Sequence, residues 1–180
     1  MRRRGAWCCA LVFIPCYLPD ANAQFAVPNG YQRVADAHAI PSDLFYAIAL
    51  AESGTRVAAQ NALRPWPWTL HVHGEGRHYP SRWAATLALK EAIAQGQTSV
   101  DVGLMQVNWR YHQSKLGYAD VALDPYHNLH VGAAILSDCY RSLDDWWAAV
   151  GCYHAPKAPQ RAARYRDRVR KIWQRFVVQA

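Results

Sequence analysis

The sequence is poor in charge and poorest in acidic charge. Only 18% of its 180 residues are charged, and 13 acidic residues face 20 basic ones, which leaves a net charge of +7. It has no internal repeat and no low-complexity tract, so repeat architectures are excluded. Because 52% of the residues are hydrophobic, the chain has ample material for a packed core, and its length predicts one domain.

Long apolar runs are also absent. Residues 6–18 form a short one that follows three arginines, is broken by Pro15, and precedes an A-x-A pattern ending at Ala23. This order predicts a secretory signal peptide over residues 1–23, cleaved after Ala23, and a periplasmic domain over residues 24–180 with no stable membrane insertion. A mildly basic exported chain suits an anionic polymer such as a cell wall, and export disfavours nucleic acid as a partner.

Cysteine is scarce in the mature chain. Cleavage removes three of the five cysteines and leaves Cys139 and Cys152, which we expect to form a disulfide in an oxidising compartment. His71, His73 and His78 lie close together in sequence, but no cysteine or carboxylate completes a metal-ligand set with them. We therefore expect neither a metal nor a cofactor.

The patterns that are present are mainly helical. Apolar residues recur at helical spacing, with Ser, Asp, Pro and Gly at the ends, in residues 31–40, 43–52, 82–95, 126–140, 146–153 and 160–178. Residues 68–79 alternate around Gly74-Glu75-Gly76 and predict a small β-hairpin. Residues 100–109 are interpreted as an apolar loop or short helix. The predicted fold class is mainly α with a small β-hairpin insertion.

One carboxylate ends the most apolar of these helices. Ser42 is expected to cap its start and Gly54 to stop it, which places Glu52 in the last turn. Apolar surroundings and the helix dipole both favour the protonated form of a carboxyl there. A carboxyl that stays protonated near neutral pH suits general acid catalysis, and a solvated glutamate at a helix end is the alternative.

Four segments, in order, resemble a known family. They are AIALAESG, GLMQVN, DPYHNLHVGAAIL and AAVGCYHA, at residues 47–54, 103–108, 124–136 and 148–155. Together they resemble the soluble lytic transglycosylase (SLT) family over about residues 40–173. The resemblance implies a lysozyme-like α-helical domain with the hairpin insertion lining its cleft. The hairpin itself is similar to that of the branch associated with conjugation, type IV secretion or pilus systems.

The resemblance also implies individual roles. Glu52 matches the catalytic carboxylate. The residues implied to border or bind the substrate are Ser53, Gly103, Met105, Gln106, Asn108, Tyr153 and Tyr165. The family's usual serine-containing segment is replaced by the insertion, so Thr69 or Asn61 is the candidate to orient an N-acetyl group. His154 stands where the family usually has asparagine.

The implied activity is cleavage of the β-1,4 bond between N-acetylmuramic acid and N-acetylglucosamine in peptidoglycan, with formation of 1,6-anhydro-N-acetylmuramic acid. Its implied purpose is local wall opening for a conjugation or secretion apparatus. Two alternatives remain. A hydrolytic muramidase would use Asp101 or Glu75 as a second carboxylate, although each also suits a structural role in a loop or turn. A wall-binding assembly component would need no catalysis.

Tryptophans and arginines allow both structural and functional interpretations. Trp66, Trp68 and Trp109 flank the predicted cleft, where they either stack on sugars or pack in the core. Core packing is expected at helical spacing for Trp83, Trp146, Trp147 and Trp173. The basic residues of the last helix are expected to form a solvated face.

Overall fold

The structure is a computed structural model that describes residues 26–57 and 62–177. The predicted signal peptide and Asn61 lie outside the described residues. The helices are α1 (Asn29–Ala37), α2 (Ser42–Ser53), α3 (Arg82–Ala94), α4 (Trp109–Leu116), α5 (Ala119–Ala122), α6 (Pro125–Leu143), α7 (Trp146–His154) and α8 (Pro159–Val177). The strands are β1 (Gly54–Val57), β2 (Ala62–Pro65), β3 (Thr69–Val72), β4 (Glu75–His78), β5 (Val100–Val102) and β6 (Val107–Asn108). The prediction of a mainly α fold is confirmed.

The helix starts show which capping signals the sequence carried. Ser81, Asp124 and Asp145 each accept a hydrogen bond from a first-turn backbone N–H, at Ala84, His127 and Ala148. The expectation that Ser42 caps α2 is wrong, because Pro41 occupies the cap position and Ser42 is already helical. Short helices α4 and α5 were not predicted.

Helix α2 lies at the centre of the fold. Residues 44–50 are all buried, as expected for a helix that is apolar on nearly every side. It packs against α1, α8 and β2, while α7 packs between α6 and α8. The end of α2 is therefore held by the core of the protein rather than by a surface loop.

The predicted hairpin is confirmed as β3 and β4, with Thr69 opposite His78 and Val72 opposite Glu75. It belongs to a four-stranded antiparallel sheet in the order β4-β3-β5-β6. The interpretation of residues 100–109 as a loop or short helix is wrong, since β5 and β6 fall there. Runs this short do not show a clear periodicity, and β5 is defined by its pairing with β3. A second hairpin, β1 with β2, was also not predicted.

The tryptophans divide differently from the expectation. Trp83 is 71% exposed, so the expectation that it packs in the core is wrong. Trp146 stacks on Tyr140, with ring centroids 3.9 Å apart, and Trp147 meets Trp173 edge to face. Trp109 is only 4% exposed and packs in the core, which removes it as a sugar-stacking surface.

No helix in the described part of the chain has the length and apolar character needed to cross a bilayer.

The disulfide prediction is confirmed. Cys139 near the end of α6 is bonded to Cys152 in α7, with the two Cα atoms 5.9 Å apart. The bridge ties α6 to α7, the helix that packs against α8, and so supports the packing around α2 indirectly.

Replacing both cysteines with serine should lower the free energy of unfolding by about 3 kcal/mol, because the loop they close spans 13 residues and its closure restricts the unfolded chain. Urea unfolding measures the loss. A thiol reductant should shift the wild-type midpoint to that of the double variant and leave the variant unchanged. An identical wild-type midpoint with and without reductant would contradict the prediction.

Candidate active site

The site is organised around the carboxyl of Glu52, next to last in α2. The helix stops there because the backbone of Gly54 is extended. The N–H of Gly54 still donates to the carbonyl of Leu50. A Cβ on Gly54 would collide with that carbonyl oxygen, so glycine is needed for the close turn. The chain passes directly from a core helix into β1, and Glu52 is fixed at the junction.

Tyr165 of α8 holds the carboxyl. Its hydroxyl donates a 2.5 Å hydrogen bond to Glu52 Oε1, and the tyrosine is itself only 3% exposed. Burial raises the pKa of Glu52 to about 7, although the Tyr165 hydrogen bond and the positive charge of Arg168 oppose the rise and the negative charge of Asp101 adds to it. Near neutral pH the group is therefore present as both acid and base.

The tyrosine is itself held in place by two neighbouring side chains. His154 stacks on its ring in parallel, with centroids 4.2 Å apart and planes 4° from parallel, and Arg168 lies 5.1 Å from its centroid. Burial and the charge of Glu52 raise the pKa of the Tyr165 hydroxyl, so it remains a hydrogen-bond donor at neutral pH. Neither His154 nor Arg168 was identified from the sequence as part of the site.

The loop at residues 103–106 runs beside Glu52 and is anchored from three helices. Ser53 in α2 donates to the carbonyl of Leu104 at 2.7 Å, and Tyr153 in α7 donates to the carbonyl of Met105 at 2.6 Å. Asn128 in α6 accepts from the Met105 N–H at 2.9 Å. Each anchor bonds to the backbone, so these side chains fix the path of the loop.

Two close contacts along this loop leave no room for a Cβ atom, so glycine is needed at both positions. Gly103 has φ +79°, and a Cβ there would lie 2.5 Å from Asn128 Nδ2. Gly132 in α6 faces Met105, whose Cβ and Cγ would lie 2.6 Å from an added Cβ. Gln106, at φ +45°, closes the turn by donating to the carbonyls of Gly103 and Thr69.

The other predicted substrate-binding residues are placed as follows. Ser53, Thr69 and Met105 are buried, and the Thr69 hydroxyl donates to the carbonyl of Trp66. Because these side chains are buried, they support the backbone around the site from the protein interior. Tyr165 bonds Glu52 directly, and Tyr153 and Asp101 lie near enough to interact with its charge. Asn108 is bonded to Asp101, and Gly103 and Gln106 belong to the loop that is anchored by Ser53 and Tyr153.

Asp101 lies in a row across the sheet. It pairs with His71 on β3 and with Asn108 on β6, so the three side chains share one face. Asn108 Nδ2 donates to Asp101 Oδ1 at 2.8 Å, and His71 Nδ1 lies 3.7 Å from Oδ2. Burial raises the pKa of Asp101, while the Asn108 hydrogen bond and the charge of His71 oppose the rise. The charge of this carboxylate also acts on Glu52.

Glu75, the other candidate second carboxylate, has a different setting. Its side chain is 72% exposed on β4 and pairs with Arg77 at 3.0 Å, as a solvated hairpin residue would. The described ranges contain no group of three or more side chains that could hold a metal ion.

Asn128 is the main residue that sequence reasoning missed. It is buried, and besides accepting from Met105 it donates through Nδ2 to the carbonyls of Val102 and Ala122. All of its side-chain contacts are to backbone groups of β5, the loop and α5. Its position at the start of the apolar run of α6 was visible, but which backbone groups it bonds depends on the fold.

The sequence is similar to known proteins over most of its length. A family model described as Transglycosylase SLT domain matches residues 31–176. Invasion protein IagB of Salmonella typhimurium (strain LT2) is 37% identical over 83 residues, 43% of this chain and 51% of that protein. Protein IpgF of Shigella flexneri is 25% identical over 167 residues, 90% of this chain and 86% of that protein. The chain thus covers about half the length of the IagB relatives. No solved structure matches it.

Replacing Asn128 with aspartate should cost about 2 kcal/mol or more of unfolding free energy. The carboxylate keeps an acceptor for Met105 but turns a buried donor into a negative oxygen facing the carbonyls of Val102 and Ala122. Urea unfolding measures the loss. The control, Asn29→Asp at the exposed start of α1, should change stability by less than about 0.5 kcal/mol. Equal losses in the two variants would contradict the prediction.

Glu52→Gln should be more stable than the wild type at about pH 8, and the difference should vanish near pH 4. The folded pKa of about 7 lies above the usual 4.5, so the unfolded chain loses its proton first and wild-type stability falls as the pH rises through this window. Glutamine keeps an acceptor for Tyr165 without placing a charge at this partly buried position.

Thermal unfolding should show a Tm at least about 2 °C higher for Glu52→Gln at the higher pH. Glu91→Gln on the exposed side of α3 serves as the control and should behave alike at both pH values. A Tm difference that is the same at pH 4 and pH 8 would show that the carboxyl does not titrate across this range.

Proposed function

The chain belongs to the Transglycosylase SLT domain family and has its lysozyme-like, mainly α fold; from this premise we propose that it is a lytic transglycosylase that cleaves peptidoglycan. The bond cut is the β-1,4 linkage between N-acetylmuramic acid and N-acetylglucosamine. The observation that carries the proposal is the partly buried Glu52 carboxyl, bonded by Tyr165 and with a pKa raised to about 7. This is the protonation behaviour that a single acid-and-base residue requires.

In the first step Glu52 donates its proton to the bridging oxygen. The bond from that oxygen to C1 of the muramic acid breaks, the N-acetylglucosamine end leaves as an alcohol, and positive charge develops at C1. Glu52 is then a carboxylate that still accepts the hydrogen bond from the Tyr165 hydroxyl. That bond favours the charged form, so it stabilises Glu52 between the two steps.

In the second step the C6 hydroxyl of the same muramic acid attacks C1. Glu52 takes the hydroxyl proton, which restores the acid and completes the 1,6-anhydro ring without consuming water. The nucleophile belongs to the substrate, so its effective concentration is high and no second carboxylate is needed. The protein supplies the acid, a shaped cleft, and the anchored loop at residues 103–106.

A hydrolytic muramidase is the second candidate, and one observation favours it. Asp101 holds a partly exposed carboxylate that acts on Glu52, with its Oδ1 bonded by Asn108. Hydrolysis would need such a group to stabilise C1 or to activate water. The two reactions differ by one water in each product, so they are distinguishable by mass.

The cellular role proposed is local opening of the wall. One relative is named an invasion protein, and the hairpin resembles the branch found with conjugation, secretion or pilus systems. A wall-cutting enzyme for such an apparatus would act in the periplasm, as the signal-peptide prediction for residues 1–23 suggests. The mature domain would then be residues 24–180.

The test digests purified sacculi and identifies the released muropeptides by mass spectrometry. Wild type should release anhydromuropeptides, and Glu52→Gln should reduce the rate by at least about 100-fold while remaining folded. Asp101→Asn should still yield the anhydro product. Glu91→Gln, on the exposed side of α3, is the matched control and should retain full activity.

Each of the other possible outcomes would support a different function. Products heavier by one water, lost in Asp101→Asn, would establish a muramidase. A Glu52→Gln variant that digests sacculi at the wild-type rate would reject Glu52 as the acid. A wild type that binds sacculi but releases nothing would favour the wall-binding assembly role.

A further inference from the structure

Helix α8 carries a regular line of positive charge. Five exposed cations are spaced three and four residues apart along it, so they project from one face: Arg161, Arg164, Arg168, Lys171 and Arg175. We call this set the cation stripe. At a rise of 1.5 Å per residue it is about 21 Å long.

The stripe is distinct from the other arginines of α8. Arg170 lies 4.6 Å above the ring of Trp147, and the Arg166 side chain runs beside Gly151 of α7. Both are used in packing. Arg168 of the stripe also lies over a ring, that of Tyr165, but no stripe residue takes part in an ion pair found within residues 26–57 and 62–177.

One side of the stripe lies near Glu52. Arg168 lies against Tyr165, whose hydroxyl bonds Glu52, and its charge lowers the pKa of both Glu52 and His154. Arg161 also acts on His154. A polymer held at Glu52 would therefore meet the cations of α8 on leaving the cleft.

We propose that the cation stripe binds the carboxylates of the peptide stems that a peptidoglycan strand carries along its length. The inference rests on the proposed function and assigns to the same site a preference for stem-bearing, anionic strands. Four of the five cations are arginines, whose guanidinium groups pair with carboxylates in a bidentate manner. Arg161 and Arg168 are seven residues apart, which is about 10.5 Å along the helix axis. This separation suits anions spaced along a polymer rather than one small ion.

The shape of α8 favours this occupant over a lipid surface. An interfacial helix inserts an apolar face beside its cations, but the apolar face of α8 is already buried against α2 and α7, with Tyr165 and Val169 in the core. The stripe therefore offers charge without a membrane-inserting surface.

Binding in the Glu52→Gln background tests the stripe without turnover. The probe is end-labelled glycan strands with intact stems, measured by fluorescence anisotropy at low and physiological salt. Changing Arg164, Lys171 and Arg175 together to glutamine should weaken binding about tenfold at low salt and flatten its salt dependence. Arg161 and Arg168, nearest the cleft, stay in place.

Two controls isolate the stem carboxylates. Strands whose carboxylates are converted to methylamides should bind the stripe variant and its parent equally, within about twofold. A second triple variant, with Lys90, Lys115 and Arg141 changed to glutamine, removes the same charge from α3, α4 and α6 and should bind intact strands like the parent.

Three results would overturn the inference. They are an equal loss of affinity for neutralised strands, an equal loss in the control variant, and stripe-dependent binding of anionic vesicles or double-stranded DNA as tight as that of strands. The proposed reaction has its own test, because anhydromuropeptide release is measured separately. A chain that bound strands through the stripe but released no such product would refute the reaction and leave the stripe inference intact.

Discussion

The hydrogen bond from Tyr165 to Glu52 joins the two halves of the site, and the rest of the structure serves to hold it. One partner stands at the end of a helix buried in the core, and the other comes from a helix that packs across it. Burial raises the pKa of the carboxyl, and the hydroxyl lowers it, so the balance falls near neutral pH.

The same core explains why the loop at residues 103–106 is so closely constrained. Ser53 follows Glu52 directly and bonds the loop, so the acid and the loop share one support. Gly103 and Gly132 let the loop approach α6 to distances that a Cβ would prevent. A small shift of α6 would therefore reach the loop through Asn128 and Met105 together.

The long helices and the position of Glu52 could be predicted from the sequence, because hydrophobic periodicity, capping residues and the glycine that ends the helix all act locally. Ser81, Asp124 and Asp145 each cap the helix that follows them. Features that depend on contacts between distant segments could not be predicted from the sequence. Strand β5 has three residues and is defined by pairing with β3, and Trp83 is exposed although its helical spacing suggested burial. Asn128 acts on backbone groups that only the fold brings near.

The distribution of charge connects binding to chemistry through Arg168. Its positive charge lowers the pKa of Glu52, and so works against the protonated form that the first step needs. A substrate carboxylate paired with Arg168 would offset that charge, and the pKa of Glu52 would rise on binding. The acid would then be protonated most when a stem-bearing strand occupies the cleft. In the free protein the same arginine favours the Glu52 carboxylate; if a stem carboxylate paired with it, the protonated form of Glu52 would be favoured instead.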